Sequence, residues 1–217
     1  MKRNMLITTI CVAFVSLCIT SAIILIPHST KNDVAQSNDT VKLQADYYTF
    51  SSENDLINSC DLIIVGSVSS VDKNAKSEVF YDIAEDYIYK KELEATLKDY
   101  EPTTVSQIKV EEVLKGDLKE DMIQIAELGG TIDKKDFYVE GIRYLVKSDR
   151  CIFFLDKRVD NKYLSNAYNM LNPYQGYIKL DNSKVTLDKS NNLFTSGISE
   201  SEIKEKIEQV LGASRVE

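Results

Sequence analysis

The sequence predicts an α+β fold that is mainly β: a small barrel or sandwich of five or six strands with one insertion helix and a C-terminal amphipathic helix, set behind a single N-terminal transmembrane helix. Three observations predict it. The first 27 of the 217 residues hold a long apolar run without charge. Short segments rich in Val, Ile, Phe and Tyr then recur with period-two alternation between turn residues. Two stretches, near 80–100 and 200–212, instead repeat their apolar residues at helical period. The chain thus divides into an anchor or signal segment (1–27), a polar tether (28–50) and a β domain with its terminal helix (51–217).

Met1-Lys2-Arg3-Asn4 leads into a run through Pro27 that contains no charged side chain. A helix needs about 20 apolar residues to cross roughly 30 Å of hydrocarbon, and residues 5–26 supply them. Two cations before the run and acidic sequence after it put the N-terminus in the cytoplasm and the remainder outside. The chain is therefore expected in the cell membrane as a single-pass protein, with the lipid bilayer as a partner. A cleaved signal peptide is the alternative, with Thr20-Ser21-Ala22 as the cleavage site and a secreted product. Against it, Ile23-Ile24-Leu25-Ile26 extends the run to spanning length. Lipidation at Cys18 fits poorly, because the bulky Leu17 precedes it.

Residues 28–50 are rich in Ser, Asn, Asp, Lys and Gln without apolar periodicity, the composition of a tether. A short helix over 52–57 follows, with Ser51 or Ser52 as its N-cap. Leu62-Ile63-Ile64-Val65 opens a strand buried on both faces, and Val68-Ser69-Ser70-Val71 continues it half-buried. Phe80, Ile83, Tyr87, Leu93, Leu97 and Tyr100 recur near helical period, giving an insertion helix ended by Pro102. Ile108 and Val110 share one face of the next strand, which turns at Lys115-Gly116-Asp117 and forms a hairpin with Met122-Ile123-Gln124-Ile125-Ala126. Gly129-Gly130-Thr131 reads as a further hairpin turn, since it lacks the Lys and the helix of a phosphate loop. Arg143-Tyr144-Leu145-Val146 reads as a short strand and Cys151-Ile152-Phe153-Phe154-Leu155 as a buried one. Tyr177-Ile178-Lys179-Leu180 and Lys184-Val185-Thr186-Leu187 give a last hairpin. Ser199 with Glu202 forms a capping box, Ile203, Ile207, Val210 and Leu211 line one face of the final helix, and Gly212 stops it.

Composition narrows the function. The net charge is −8, and Lys2 and Arg3 belong to the anchor, so the part beyond it is more acidic still. Such a surface repels nucleic acid and anionic headgroups. The single histidine, His28, lies at the membrane boundary, which leaves no residue for a His-based zinc site or a Ser-His-Asp triad in the domain. No cofactor or metal is expected. Cys60 and Cys151 are the two cysteines beyond the anchor. An oxidising compartment permits a disulfide between them, while their strand-like surroundings equally suit two buried thiols.

Catalytic candidates are weak. Adjacent strand residues point to opposite faces, so Glu111-Glu112 cannot act as a facing pair, and Glu120-Asp121 and Asp136 with Glu140 read as solvated turn and strand charges. Asp188-Lys189-Ser190-Asn191-Asn192 mimics the start of a calcium loop, but Leu193 stands where Gly is needed and Ser199 where Glu is needed. The segment 156–175 is longer than the roughly 12 residues of an ordinary connection. It carries Tyr163, Asn166, Tyr168, Asn169, Asn172, Tyr174 and Gln175. Of these, Tyr163, Tyr168, Asn172, Tyr174 and Gln175 are the candidate surface for a ligand or partner, since tyrosine offers stacking area with a hydroxyl. The same tyrosines could equally pack the loop on the domain.

Asp61-Leu62-Ile63-Ile64-Val65-Gly66-Ser67-Val68, Ile108-Lys109-Val110-Glu111-Glu112-Val113-Leu114-Lys115-Gly116-Asp117, the strand ending in Gly129-Gly130, Cys151-Ile152-Phe153-Phe154-Leu155 and Tyr174-Gln175-Gly176-Tyr177 resemble a group of uncharacterised, membrane-anchored extracytoplasmic proteins of Gram-positive bacteria. More distantly, their order resembles the netrin and metalloproteinase-inhibitor type of OB barrel. The resemblance spans about residues 55 to 187 and implies an OB-like barrel. It does not carry protease inhibition, because those inhibitors use a cysteine at the mature N-terminus and none precedes Cys60 beyond the anchor. The expected function is a non-enzymatic, membrane-tethered binding domain for an envelope protein or wall polymer. The alternatives are a carboxylate-dependent cell-wall hydrolase and an accessory subunit of an envelope sensor.

Overall fold

Leu62-Ile63-Ile64-Val65 is covered on both faces because the strand it opens runs through the middle of a seven-stranded sheet. The computed structural model describes residues 39–78, 100–157, 164, 166–182, 184–187 and 191–213. In chain order its elements are β1 (Asp39–Leu43), α1 (Glu53–Ser59), β2 (Leu62–Glu78), β3 (Tyr100–Lys115), β4 (Met122–Leu128), β5 (Gly130–Ile132), β6 (Lys135–Val139), β7 (Arg150–Lys157), β8 (Ala167–Met170), β9 (Tyr177–Asp181), β10 (Lys184–Thr186) and α2 (Glu200–Ala213). The larger sheet has the order β10-β9-β7-β2-β3-β4-β8, and β1, β6 and β5 form a second sheet. The architecture is α+β and mainly β, as the alternation predicts. The β3–β4 and β9–β10 hairpins form where the sequence places them. β8 runs parallel to β4 and also pairs antiparallel with β7.

Alternation in β2 and β7 divides the apolar side chains between two cores. Ile63, Val65, Ile152 and Phe154 join Ile178, Leu180 and the helix residues Leu56, Ile57, Ile203 and Ile207 on one face. Leu62, Ile64, Cys151, Phe153 and Leu155 meet Ile108, Ile123, Ile125 and Leu145 on the other. Phe153 and Phe154 are both fully buried, and burial of such a side chain contributes about 1.5 to 3 kcal/mol. The two cysteines fall on opposite sides of this division, Cys60 in the first core and Cys151 in the second. A disulfide between them is therefore not formed: the thiols remain unbonded and buried, separated by the sheet itself. Burial raises both thiol pKa values, that of Cys60 to about 12.

Both helices start as their sequences predict. Ser52 caps α1 by accepting from the Asp55 N–H at 3.1 Å. At α2 the Ser199 N–H donates to Glu202 Oε2 at 2.7 Å while Ser199 Oγ accepts from the Glu202 N–H at 3.3 Å, a reciprocal capping box. Gly212 lies inside α2 rather than beyond its end.

Other expectations are corrected. Within the segment read as a tether, Asp39–Leu43 pairs in parallel with β6 and Phe50 is buried in the first core; its polar residues suit an edge strand with one solvated face. Pro102 does not end a helix but sits in β3 opposite Lys76, and the remainder of the expected insertion helix lies outside the described residues. The expected membrane segment also lies outside them, and no described helix is long and apolar enough to cross a membrane. Arg143-Tyr144-Leu145-Val146 is not a strand: the Leu145 and Val146 N–H groups donate to the Glu127 and Asp149 side chains rather than to a neighbouring strand. Gly129 and Gly130, at φ +107° and +159°, do not make a hairpin turn: they carry the chain from one sheet to the other. A Cβ at Gly130 would lie 2.5 Å from the Lys73 carbonyl oxygen, so the close backbone approach requires glycine. The hairpin turn is Asp133-Lys134, both at positive φ, joining β5 and β6.

The Glu111-Glu112 pair ties α2 to β3. Arg150 donates from Nε to Glu111 at 2.7 Å and from Nη1 to Glu200 at 2.7 Å, and Lys204 bridges Glu112 and Glu200 at 2.5 and 2.8 Å. The hydrogen bond from Arg150 is the main reason that the Glu200 pKa falls from 4.5 to about 2. A lowered carboxylate pKa supplies stability above the unfolded value that is lost as pH falls through the folded one. Discounted for partial solvent screening, Glu200 is expected to contribute about 1 to 2 kcal/mol above pH 4.5 that disappears toward pH 2. Acid denaturation of Glu200→Gln should lack that component, and an unchanged acid midpoint would refute the assignment.

Candidate functional site

Strand alternation builds a groove on the β3–β4–β8 side. Inward-pointing Ile108 and Ile123 leave their neighbours Gln107 and Gln124 on the other face, where the two amides stand opposite each other across the β3–β4 ladder. β8 adds its residues by pairing Ala167 with Gln124. The groove, of about 400 Å³, is lined among others by Gln107, Glu120, Gln124, Lys157, Asn166 and Tyr168. Tyr168 packs partly on the second core, and burial raises its phenol pKa, reinforced by Glu120 and Asp61. Side-chain amides, one lysine, one carboxylate and a half-buried ring can hydrogen-bond and stack on a polar ligand. They do not form a catalytic pair.

A second, smaller cavity of about 280 Å³ lies behind the segment that joins β1 to α1. Ala45 and Tyr47 form one wall, Glu101, Thr103, Ala126, Glu127 and Leu128 come from β3 and β4, and Ile142, Tyr144, Asn169, Met170 and Pro173 complete it. Tyr144 is fixed by two bonds: its hydroxyl donates to the Leu128 carbonyl at 2.7 Å and accepts from the Val139 N–H at 3.0 Å. Tyr47 packs edge-on against Tyr174, ring centroids 6.2 Å apart. Burial, with Tyr144 and Tyr174 nearby, raises the Tyr47 pKa to about 12.

Glu127 is the unusual residue of this cavity. It follows Ile123 and Ile125 at the same parity on β4, so alternation turns a carboxyl group toward the interior. Only 6% of the residue is exposed. Its Oε1 accepts from the Leu145 N–H at 3.3 Å, and Ser106, at the same parity on the neighbouring strand, is a hydrogen-bonding neighbour that opposes the rise in its pKa. Burial raises its pKa to about 8, against the smaller opposing pull of Arg143. Arg143 is itself committed to Asp149, which it grips through Nη2 at 3.0 and 2.9 Å while Lys179 approaches at 2.8 Å.

The five residues predicted as one binding surface separate. Tyr163 lies outside the described residues. Tyr168 lines the groove. Asn172 and Gln175 are each 1% exposed and face inward. Asn172 Oδ1 accepts from the Tyr174 and Gln175 N–H groups and its Nδ2 donates to the Tyr48 carbonyl. Gln175 accepts from the Phe50 N–H at 2.8 Å and donates to the Phe50 carbonyl at 3.1 Å. Both therefore hold residues 48–50 in place and offer nothing to a ligand. Tyr174 packs on Tyr47 and donates to the Glu140 carbonyl at 3.3 Å, apart from the groove. The sequence reading missed Gln107, Gln124 and Glu127: a glutamine on a strand is an ordinary solvated residue, and Glu127 lies one residue beyond the strand expected over 122–126, although its parity with Ile123 and Ile125 is the signal that marks it as inward.

The chain matches no protein-family model, and no curated protein has significant sequence similarity to it.

Proposed function

We propose that this protein is a membrane-tethered extracytoplasmic binding module on an OB-like barrel, held to the bilayer by residues 5–26 and recognising a wall polymer through the Gln107–Gln124–Tyr168 groove. The groove carries the reading: amides and an aromatic ring converge on the β3–β4–β8 side, the side on which OB barrels take oligomeric ligands. The pairing cycle β2-β3-β4-β8-β7 supports the barrel, since β8 returns to β7 after running parallel to β4. The adjacent helices support the netrin-type likeness; Leu56 and Ile57 of α1 share a core with Ile203 and Ile207 of α2, and Glu53 pairs with Lys206.

Wall glycan strands mixed with the full-length chain in non-ionic detergent micelles are expected to retain it. Tyr168→Ala should weaken retention about fivefold, the effect of removing a stacking platform worth roughly 1 kcal/mol. Equal retention of variant and wild type, at equal folded content by circular dichroism, would refute the groove. The hydrolase alternative rests on Glu101 and Glu127 lining one cavity. It expects reducing ends to accumulate during the incubation and to vanish in Glu127→Gln, whereas a pure binding module releases none.

A further inference from the structure

We infer that the Gln107–Gln124–Tyr168 groove is built for uncharged N-acetylated sugar units, so that among wall polymers it selects an acetamido-bearing glycan and rejects the polyanionic phosphodiester kind. The inference rests on the groove's being the binding site proposed above and adds the chemical class of its ligand. Gln107 and Gln124 are register partners on β3 and β4, which sets their Cβ atoms about 5 Å apart on one face. A primary amide carries both donors and an acceptor. Two of them side by side can accept from the N–H and donate to the C=O of one acetamido group, as a neighbouring strand does for a peptide unit.

The availability of those two amides carries the assignment. Asn172 and Gln175 show what this fold does with an amide that supports structure: both are buried, and their amides are hydrogen-bonded to backbone groups at Tyr48, Phe50, Tyr174 and Gln175. Gln107 and Gln124 are half-buried, and neither side-chain amide has a hydrogen-bond partner among the described residues. Tyr168, also half-buried, offers a ring to the apolar face of a pyranose. Leu118 and Met122 line the same groove, and Met122 is 43% exposed, which gives an acetyl methyl group an apolar contact.

Charge decides against an anionic ligand. Lys157 is the one cation among the described lining residues, and it stands opposite Tyr168 across the β7–β8 pair. Glu120 lines the same groove, and Asp61 lies beside it, accepting from the Lys157 backbone N–H at 3.2 Å. Both carboxylates are close enough to Tyr168 to act on its phenol. One cation therefore stands against two carboxylates here, in a chain whose net charge is −8. Repeated phosphates meet repulsion in such a field, whereas an uncharged acetamido sugar does not. A phosphodiester polymer needs clustered Arg and Lys instead.

The test uses the full-length chain in non-ionic detergent micelles with 13C-methyl-labelled methionine, read by NMR. The protein has 4 methionines; Met122 lines the groove and Met170 the smaller cavity. The probes are the β-linked tetramer of N-acetylglucosamine, cellotetraose, which is the same chain with hydroxyls in place of the acetamido groups, and poly(glycerol phosphate). The expected result is saturable movement of the Met122 signal, with the N-acetylated tetramer binding about tenfold more tightly than cellotetraose, the scale of two added hydrogen bonds, and no movement with poly(glycerol phosphate). The double variant Gln107→Leu, Gln124→Leu should bring the two tetramers within about twofold of each other while cellotetraose still moves Met122, which shows the groove intact. The wild-type comparison stands whether or not that variant folds. Equal affinity of the two tetramers for the wild type, a preference that survives the double variant, or tighter binding of poly(glycerol phosphate) would each overturn the acetamido assignment and leave the groove standing, because Met122 responds. Silence of Met122 toward every probe, or movement of Met170 alone, would overturn the groove and this inference together.

Discussion

Glu127→Gln is expected to stabilise the fold at pH 8 by on the order of 3 to 4 kcal/mol relative to wild type and to leave it within about 1 kcal/mol at pH 4.5. The sign follows from linkage. Burial raises the carboxyl pKa from 4.5 to about 8, so the native state binds a proton more tightly than the unfolded chain. Stability from that proton is full below pH 4.5 and is lost as pH rises through 8. Glutamine reproduces the neutral acid: its carbonyl oxygen accepts from the Leu145 N–H as Oε1 does, and its amide fills the same space without titrating. Urea unfolding of both proteins at pH 4.5, 6 and 8 measures the difference. Parallel pH profiles would mean that Glu127 ionises freely in the native state, and the burial argument would fail.

Gln175→Ala is expected to cost about 3 to 4 kcal/mol. The side chain closes a two-point clamp on Phe50 and also donates to Asn192 at 3.3 Å. Its removal leaves the Phe50 N–H and C=O unpaired in a buried site, at about 1 to 3 kcal/mol for each stranded group, and opens a cavity. For a chain of this size each kcal/mol lowers Tm by about 2 to 4 °C, which amounts to roughly 10 °C. Because Phe50 anchors the segment that carries Ala45, Tyr47 and Tyr48, the loss is local as well as global. Tyr48 is already 72% exposed, and chymotrypsin should cut after it faster in the variant at a temperature where both proteins are folded. A fall in Tm with no change in the cleavage rate at Tyr48 would show that Gln175 supports the core without holding the strap.

The parts legible in the sequence were those set by nearest neighbours along the chain. Alternation at Ile108 and Val110 and at Ile123 and Ile125, and the continuous apolar run Cys151-Ile152-Phe153-Phe154-Leu155, located three strands. Ser52, and Ser199 with Glu202, located both helix starts. Where the reading failed, the deciding partner lay far away in sequence. β1 is a strand because β6, some 95 residues on, offers an edge, and β8 is a strand because β4 and β7 flank it. The amides of Asn172 and Gln175 suggested recognition, yet their partners are backbone groups about 125 residues earlier.

By itself the sequence determined where the central strands and the two described helices begin, that the chain beyond the apolar run is acidic, and that no histidine serves the domain. These follow from side-chain period, capping chemistry and composition, which are properties of short stretches. Only the tertiary structure decided that Cys60 and Cys151 face different cores, that two glutamines and Tyr168 line one groove, and that the Glu127 carboxyl is buried beside Leu145 and Ser106. Those outcomes depend on which strand edges meet, and a strand's own residues do not encode the identity of its neighbour.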